Sequence, residues 1–80
     1  DAREDFDLFW AALRSAVAGY LYARTGDQAA VDDLQQEVAI AAWRGFAGLD
    51  AGVRREAWVM GIARHKLADH LSRRRPSNVG

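Results

Sequence analysis

The sequence has no cysteine, one proline and no net charge. Without cysteine, neither disulfide bonds nor cysteine metal ligands can stabilise the fold, and a reducing compartment is the simplest setting. No apolar run approaches the ~18 residues of a membrane span, and no signal peptide is visible. We therefore expect a soluble, cytoplasmic protein with no membrane insertion.

The 80 residues are enough for one small domain. A chain of this length buries roughly 60% of its unfolded surface, so its stability should be modest. Hydrophobic residues make up 50% of the sequence and aromatic residues 10%, which is enough for a helical core.

The net charge of zero hides an uneven distribution. Residues 1–53 contain four arginines and nine acidic residues, a balance of −5, whereas residues 54–80 carry a balance of +5. This division favours two surfaces for two kinds of partner, and the basic part could face phosphates. The alternative is that the two parts simply attract each other.

Apolar residues in the first third of the chain recur with the spacing of an amphipathic helix. They are Phe6, Phe9, Trp10, Leu13, Val17, Tyr20 and Leu21. The segment 25–27 interrupts this pattern, because Gly26 suits the left-handed position after a helix and Asp27 can cap the next one.

Two further helices are predicted, from about residue 28 to 45 and from about 54 to 74, with a glycine-rich loop over 45–53. The apolar stripe of the last helix is Met60, Ala63, Leu67 and Leu71, with Trp58 and Ile62 beside it. Pro76 ends that helix. The sequence thus predicts an all-α bundle of three main helices, with a domain over 1–75 and the start of an interdomain linker over 76–80. The predicted core cluster is Phe9, Leu13, Val17, Leu34, Val38, Ile62, Ala63 and Leu67.

No group of residues supports catalysis. The sequence has no Ser-His-Asp arrangement, no glycine-rich phosphate loop and no paired carboxylates in an apolar setting. His65 and Asp69 lie one helical turn apart, yet two ligands make a poor metal site. A phosphorelay role for His65 is the other chemical alternative. We expect a protein that is not an enzyme, with no catalytic residue, metal or cofactor.

The second predicted helix carries an ordered row of acid, amide and acid. Asp33, Gln36 and Glu37 are spaced i, i+3 and i+4, so they share one face. Such side chains can accept hydrogen bonds from arginines of another protein. Val38, Ile40 and Trp43 beside them could supply an apolar anchor. Spacing alone leaves open an ordinary exposed face.

The third predicted helix is basic. Its cations are Arg54, Arg55, Arg64, Lys66, Arg73, Arg74 and Arg75. With Trp58 near its start, such a helix could contact phosphates and stack on an unpaired base. The alternatives are core packing for Trp58 and, for the last three arginines, a solvated helix end that complements the helix dipole.

Two segments, in this order, resemble region 2 of bacterial extracytoplasmic-function sigma factors. "DDLQQEVAIAAWRGF" is similar to the helix that binds the clamp of RNA polymerase, with its acid-Leu-x-Gln-Glu pattern followed by apolar positions and a Trp. "AWVMGIARHKLADHLSRRR" resembles the promoter-reading helix, with its Trp start, Ile-Ala-Arg core and basic tail. The resemblance covers roughly residues 6–75.

The resemblance implies a transcription initiation module with two partners. One is the clamp coiled coil of the polymerase β′ subunit, for which the predicted residues are Asp33, Leu34, Gln36, Glu37, Ile40 and Trp43. The other is the non-template strand of the −10 promoter element, for which they are Arg54, Arg55, Trp58, Arg64, His65, Lys66, Arg73 and Arg74. A flipped base is expected between the loop "GLDAGV" and the start of the third helix. An anti-sigma factor is a further implied partner.

Four positions depart from the family pattern. Ala39 stands where Phe is usual, Gln35 replaces an apolar residue, His65 replaces Asn, and Arg55 replaces a frequent aromatic residue. The helix-turn-helix that reads the −35 element is absent, so we expect the chain to be a domain excised from a longer sigma factor. The alternative function is a sigma-like interaction bundle that does not read DNA.

Overall fold

The computed structural model of the protein describes residues 1–74, with side chains through residue 73. The described chain forms α1 (Ala2–Thr25), α2 (Gln28–Phe46) and α3 (Arg55–Arg74), and it contains no strand. The prediction of an all-α fold of three main helices is confirmed. The predicted domain end at 75, the stop at Pro76 and the linker over 76–80 lie outside the described residues.

The turn between α1 and α2 forms as the sequence predicts. Gly26 adopts the left-handed conformation, with φ of 61°, and its N–H donates to the carbonyl of Tyr22. The Asp27 carboxylate accepts from the N–H groups of Ala29 and Ala30, at 3.0 and 3.3 Å. These contacts satisfy backbone groups that the helix ends would otherwise leave unpaired, so α1 reverses into α2 over two residues.

The core is one contiguous apolar cluster shared by all three helices. Its buried members are Phe6, Val17, Leu21, Val31, Leu34, Val38, Ala42, Phe46, Val59, Ala63 and Leu67. Five of the predicted core residues are among them, and the other three, Phe9, Leu13 and Ile62, are partly buried against the cluster. The predicted core is therefore confirmed, although it omits six buried members: Phe6, Leu21, Val31, Ala42, Phe46 and Val59.

The buried stripe of α3 is rotated from the one that the sequence predicts. Val59, Ala63 and Leu67 are buried, whereas Leu71 is 43% exposed. At 100° per residue, Leu71 lies about 80° from Ala63 around the helix, which takes it to the edge of the core face. The prediction that Leu71 belongs to the buried stripe is wrong.

Five aromatic side chains pack together where the start of α1 meets the end of α2. Phe6 is central, with its ring centroid 5.4 Å from that of Trp43 and 5.3 Å from that of Phe46, both edge-on. Trp10 and Phe9 complete the cluster. Edge-to-face contacts add to the stabilisation from area burial, so this cluster holds the start of α1 against the end of α2.

No helix within residues 1–74 has both the length and the apolar character to cross a membrane.

Candidate functional site

The acid-amide row on α2 is exposed. Asp33, Gln36 and Glu37 all have exposed side chains, while Leu34 beneath them is only 2% exposed. Leu34 therefore supports this face from the core and offers little surface to a partner. We call Asp33, Gln36 and Glu37 the acid-amide face.

Two large apolar side chains lie exposed on the same helix. Ile40 is 51% exposed and Trp43 is 43% exposed. The edge-on contact with Phe6 holds one part of the Trp43 indole, so a partner could bury the remainder without ordering a mobile side chain. Val38 is fully buried, so its predicted place in a surface anchor is wrong.

An apolar groove lies between α2 and α3. It has a volume of about 560 Å³. Its lining residues are Ala41, Ala57, Trp58, Gly61, Ile62, His65 and Lys66. The start of α3 contributes to it as predicted, but the opposite wall is Ala41 of α2, and no residue of the "GLDAGV" loop lines it. The loop therefore forms no wall of this groove, and the base pocket expected between the loop and the start of α3 stays a prediction.

The acid-amide face and the groove are joined by an ion pair. Lys66 Nζ lies 3.7 Å from Glu37 Oε1, and both side chains are partly exposed. An exposed pair of this kind is worth little in stability. The pair matters because of where it lies: Glu37 belongs to the acid-amide face, and Lys66 lines the groove.

His65 lines the groove, and its side chain is largely open to solvent. Its Nε2 lies 3.8 Å from the Asp69 carboxylate, and its side chain is 78% exposed. Within residues 1–74, no three His, Cys, Asp or Glu residues are grouped so that they could hold a metal ion. Because its side chain is exposed and lines the groove, His65 is within reach of a ligand bound there.

The arginines predicted for DNA binding differ in their surroundings. Arg54, Arg64 and Arg73 are exposed. The guanidinium of Arg55 lies over the Phe46 ring, 4.7 Å from its centroid, which is within the range of a cation–π contact. Arg55 thus covers the end of the core as well as adding positive charge. The side chain of Arg74 lies outside the described residues.

Several contacts were not anticipated from the sequence. Gln35 donates a hydrogen bond from Nε2 to the carbonyl oxygen of Arg14, at 2.8 Å, which ties α2 to α1. The small Ala39 lines a second groove between these helices, beside Trp10. Gly45 packs directly against Trp58. A glycine within a helical pattern commonly has a packing reason, which is the one signal that could have pointed to this contact.

The described residues thus form a helical module with the acid-amide face on α2 and cations along α3. The family model for sigma-70 region 2 matches residues 9–76. The chain belongs to this family. Comparison with curated proteins and with solved structures gave no match.

Membership of the family establishes the broad role of the chain. Region 2 is a non-enzymatic domain of transcription initiation factors that binds RNA polymerase core and takes part in promoter recognition. The expectation that the protein is not an enzyme is confirmed, and so is its identification as sigma factor region 2, while the extracytoplasmic-function subgroup stays a prediction.

Proposed function

We propose that the acid-amide face binds the clamp coiled coil of the polymerase β′ subunit. The observation that supports this most directly is the exposure of Asp33, Gln36 and Glu37 on one face, above the buried Leu34. Carboxylate and amide oxygens suit the guanidinium groups of a basic helix. Ile40 and Trp43 provide the apolar contact next to these polar groups, which is the arrangement that gives protein interfaces most of their binding energy.

We further propose that α3 and the groove beside it read the non-template strand of the melted −10 element. Trp58 and Ile62 supply apolar walls, and His65 and Lys66 supply polar groups at the rim. An unpaired base can enter such a site, whereas a base in duplex DNA is held in its stack. Arg64, Lys66 and Arg73 would contact the sugar-phosphate backbone and set the salt dependence of binding.

The alternative function is a sigma-like bundle that binds protein without reading DNA. The basic residues of α3 argue against it, because exposed cations beside an apolar groove suit the phosphates and unpaired bases of a nucleic-acid strand. Salt-dependent affinity for single-stranded DNA separates the two functions.

We also propose the compartment, the sigma factor subgroup and a further partner that the resemblance implies. The chain would act in the cytoplasm as the region 2 domain of an extracytoplasmic-function sigma factor. An anti-sigma factor is a further proposed partner.

His65 is expected to influence which base is preferred. A neutral imidazole has one donor and one acceptor, fewer than the amide of the Asn usual at this position, so it discriminates bases differently. Fluorescence anisotropy with four single strands that differ at one −10 base should give a ranking that changes in His65→Ala. Lys66→Ala should instead lower all four affinities by a similar factor and reduce the salt slope by about one charge.

Arg24→Ala serves as the control for this experiment. Arg24 is an exposed cation on α1 that stacks on Tyr20, so its removal should leave both the ranking and the affinities nearly unchanged. An unchanged ranking in His65→Ala would show that His65 does not read the base. Failure of all four DNA single strands to bind the wild-type chain would favour the interaction bundle.

A further inference from the structure

Gly45 lies in the last turn of α2, against the indole of Trp58 in the first turn of α3. A Cβ atom on residue 45 would stand 2.7 Å from Trp58 Cζ2 and 3.2 Å from Cη2. Non-bonded carbon atoms are most stable about 3.5–4.0 Å apart. A methyl group therefore cannot be placed on residue 45 unless the indole moves.

The backbone conformation gives no other reason for glycine here. Among the described residues, only Gly26 has a positive φ, so Gly45 does not need the conformational freedom of glycine. Its carbonyl oxygen accepts from the N–H of Gly48 at 3.2 Å, a contact that alanine would keep. Glycine within a helix is also less favourable than alanine. The space occupied by Trp58 is the feature of the structure that accounts for Gly45.

We propose that Gly45 is a positioning residue for Trp58 and thereby shapes the groove between α2 and α3. Trp58 forms part of the groove wall, opposite Ala41. A side chain on residue 45 would push the indole towards the groove or towards solvent. In both cases the surface on which a base stacks is altered. The inference rests on the proposed binding of an unpaired base to this groove.

Four variants separate positioning from general effects on the fold. Gly45→Ala introduces the methyl group, and Trp58→Phe removes the part of the indole that carries Cζ2 and Cη2. The double variant combines the two changes. Gly19→Ala is the matched control, because a Cβ on this α1 residue would meet nothing within 4 Å.

The first measurement does not require DNA. The three tryptophans each give an indole N–H signal in a ¹⁵N–¹H spectrum, and the signal lost in Trp58→Phe identifies Trp58. Gly45→Ala should shift the Trp58 signal and leave that of Trp10 in place, while Gly19→Ala shifts neither. An unmoved Trp58 signal in Gly45→Ala would overturn the inference.

The second measurement is the affinity for a labelled, adenine- and thymine-rich single-stranded oligonucleotide. Stacking on one aromatic side chain accounts for roughly a 5- to 150-fold difference in affinity, so Gly45→Ala should lower the affinity for the oligonucleotide by about 5-fold or more. In the Trp58→Phe background the same change should have less than about a two-fold effect, since the conflicting atoms are absent. Affinity for a β′ clamp fragment should stay within about two-fold in every variant.

An equal loss of DNA affinity in both backgrounds would overturn the inference, because the methyl group would then act on something other than the indole. Gly45→Ala could also lower the helical circular dichroism signal. If the double variant with Trp58→Phe showed the same loss, the inference would be overturned for the same reason. An oligonucleotide that fails to bind the wild-type chain would instead contradict the proposed DNA function. The Trp58 signal would still decide whether Gly45 positions the indole.

Discussion

Replacing Gln36 and Glu37 together by alanine is expected to weaken binding to a β′ clamp fragment by about 10- to 100-fold. Each side chain can accept a hydrogen bond from a cation of the partner, and such bonds contribute more than neutral ones. Both side chains are exposed, so the helical signal and the melting temperature should hardly change. The affinity can be measured by titration calorimetry, and the fold by circular dichroism.

The matched control is Gln28→Ala combined with Asp32→Ala. This pair also removes one amide and one acid from exposed positions of α2, but its members bond to each other, with Gln28 Nε2 2.9 Å from Asp32 Oδ1. Clamp affinity should fall much less in the control. An equal loss in the two double variants would show that negative charge on α2, rather than the acid-amide face, determines binding. Unfolding of the Gln36 and Glu37 variant would show that this face is structural.

Leu67→Ala is expected to lower the free energy of unfolding by about 2–5 kcal/mol, a large share of the stability of a domain this small. Leu67 is buried between the helices, so truncation removes apolar contacts and leaves a cavity. Leu71→Ala removes the same atoms from an exposed position of the same helix and should cost less than about 1 kcal/mol. Leu13, which is half-buried, should give an intermediate value.

Urea denaturation followed by circular dichroism measures all three variants. A loss below about 1 kcal/mol for Leu67→Ala, or an equal loss for Leu71→Ala, would mean that the buried face of α3 is assigned to the wrong residues.

The helices and their connection were predictable because local signals determine them. The period of the apolar residues in α1 is regular over four turns, and Gly26 and Asp27 each have one obvious structural role at a helix boundary. The face of α3 that is buried was less predictable, because apolar residues are spread widely around the first half of this helix. Only the packing of α1 and α2 against it selects Val59 over Leu71 for the core.

The candidate site also has one part that the sequence predicts and another that it does not. The acid-amide face depends only on spacing within one helix, so the sequence was sufficient to predict it. The groove depends on how α2 and α3 approach each other. Neither the wall at Ala41 nor the pairing of Glu37 with Lys66 can be derived from residues that lie so far apart in sequence. The contact of Gly45 with Trp58 is of the same kind, since it joins the end of one helix to the start of the next.

The most direct test of the proposed function is a titration of the amino-terminally labelled chain with RNA polymerase core, followed by competition with an unlabelled β′ clamp fragment. Fluorescence anisotropy should rise to a plateau at a one-to-one ratio and then fall to the lower value of the complex with the clamp fragment, as the fragment takes the labelled chain from the polymerase. Failure to bind the core would contradict the account, and so would a complex that an excess of the clamp fragment leaves intact.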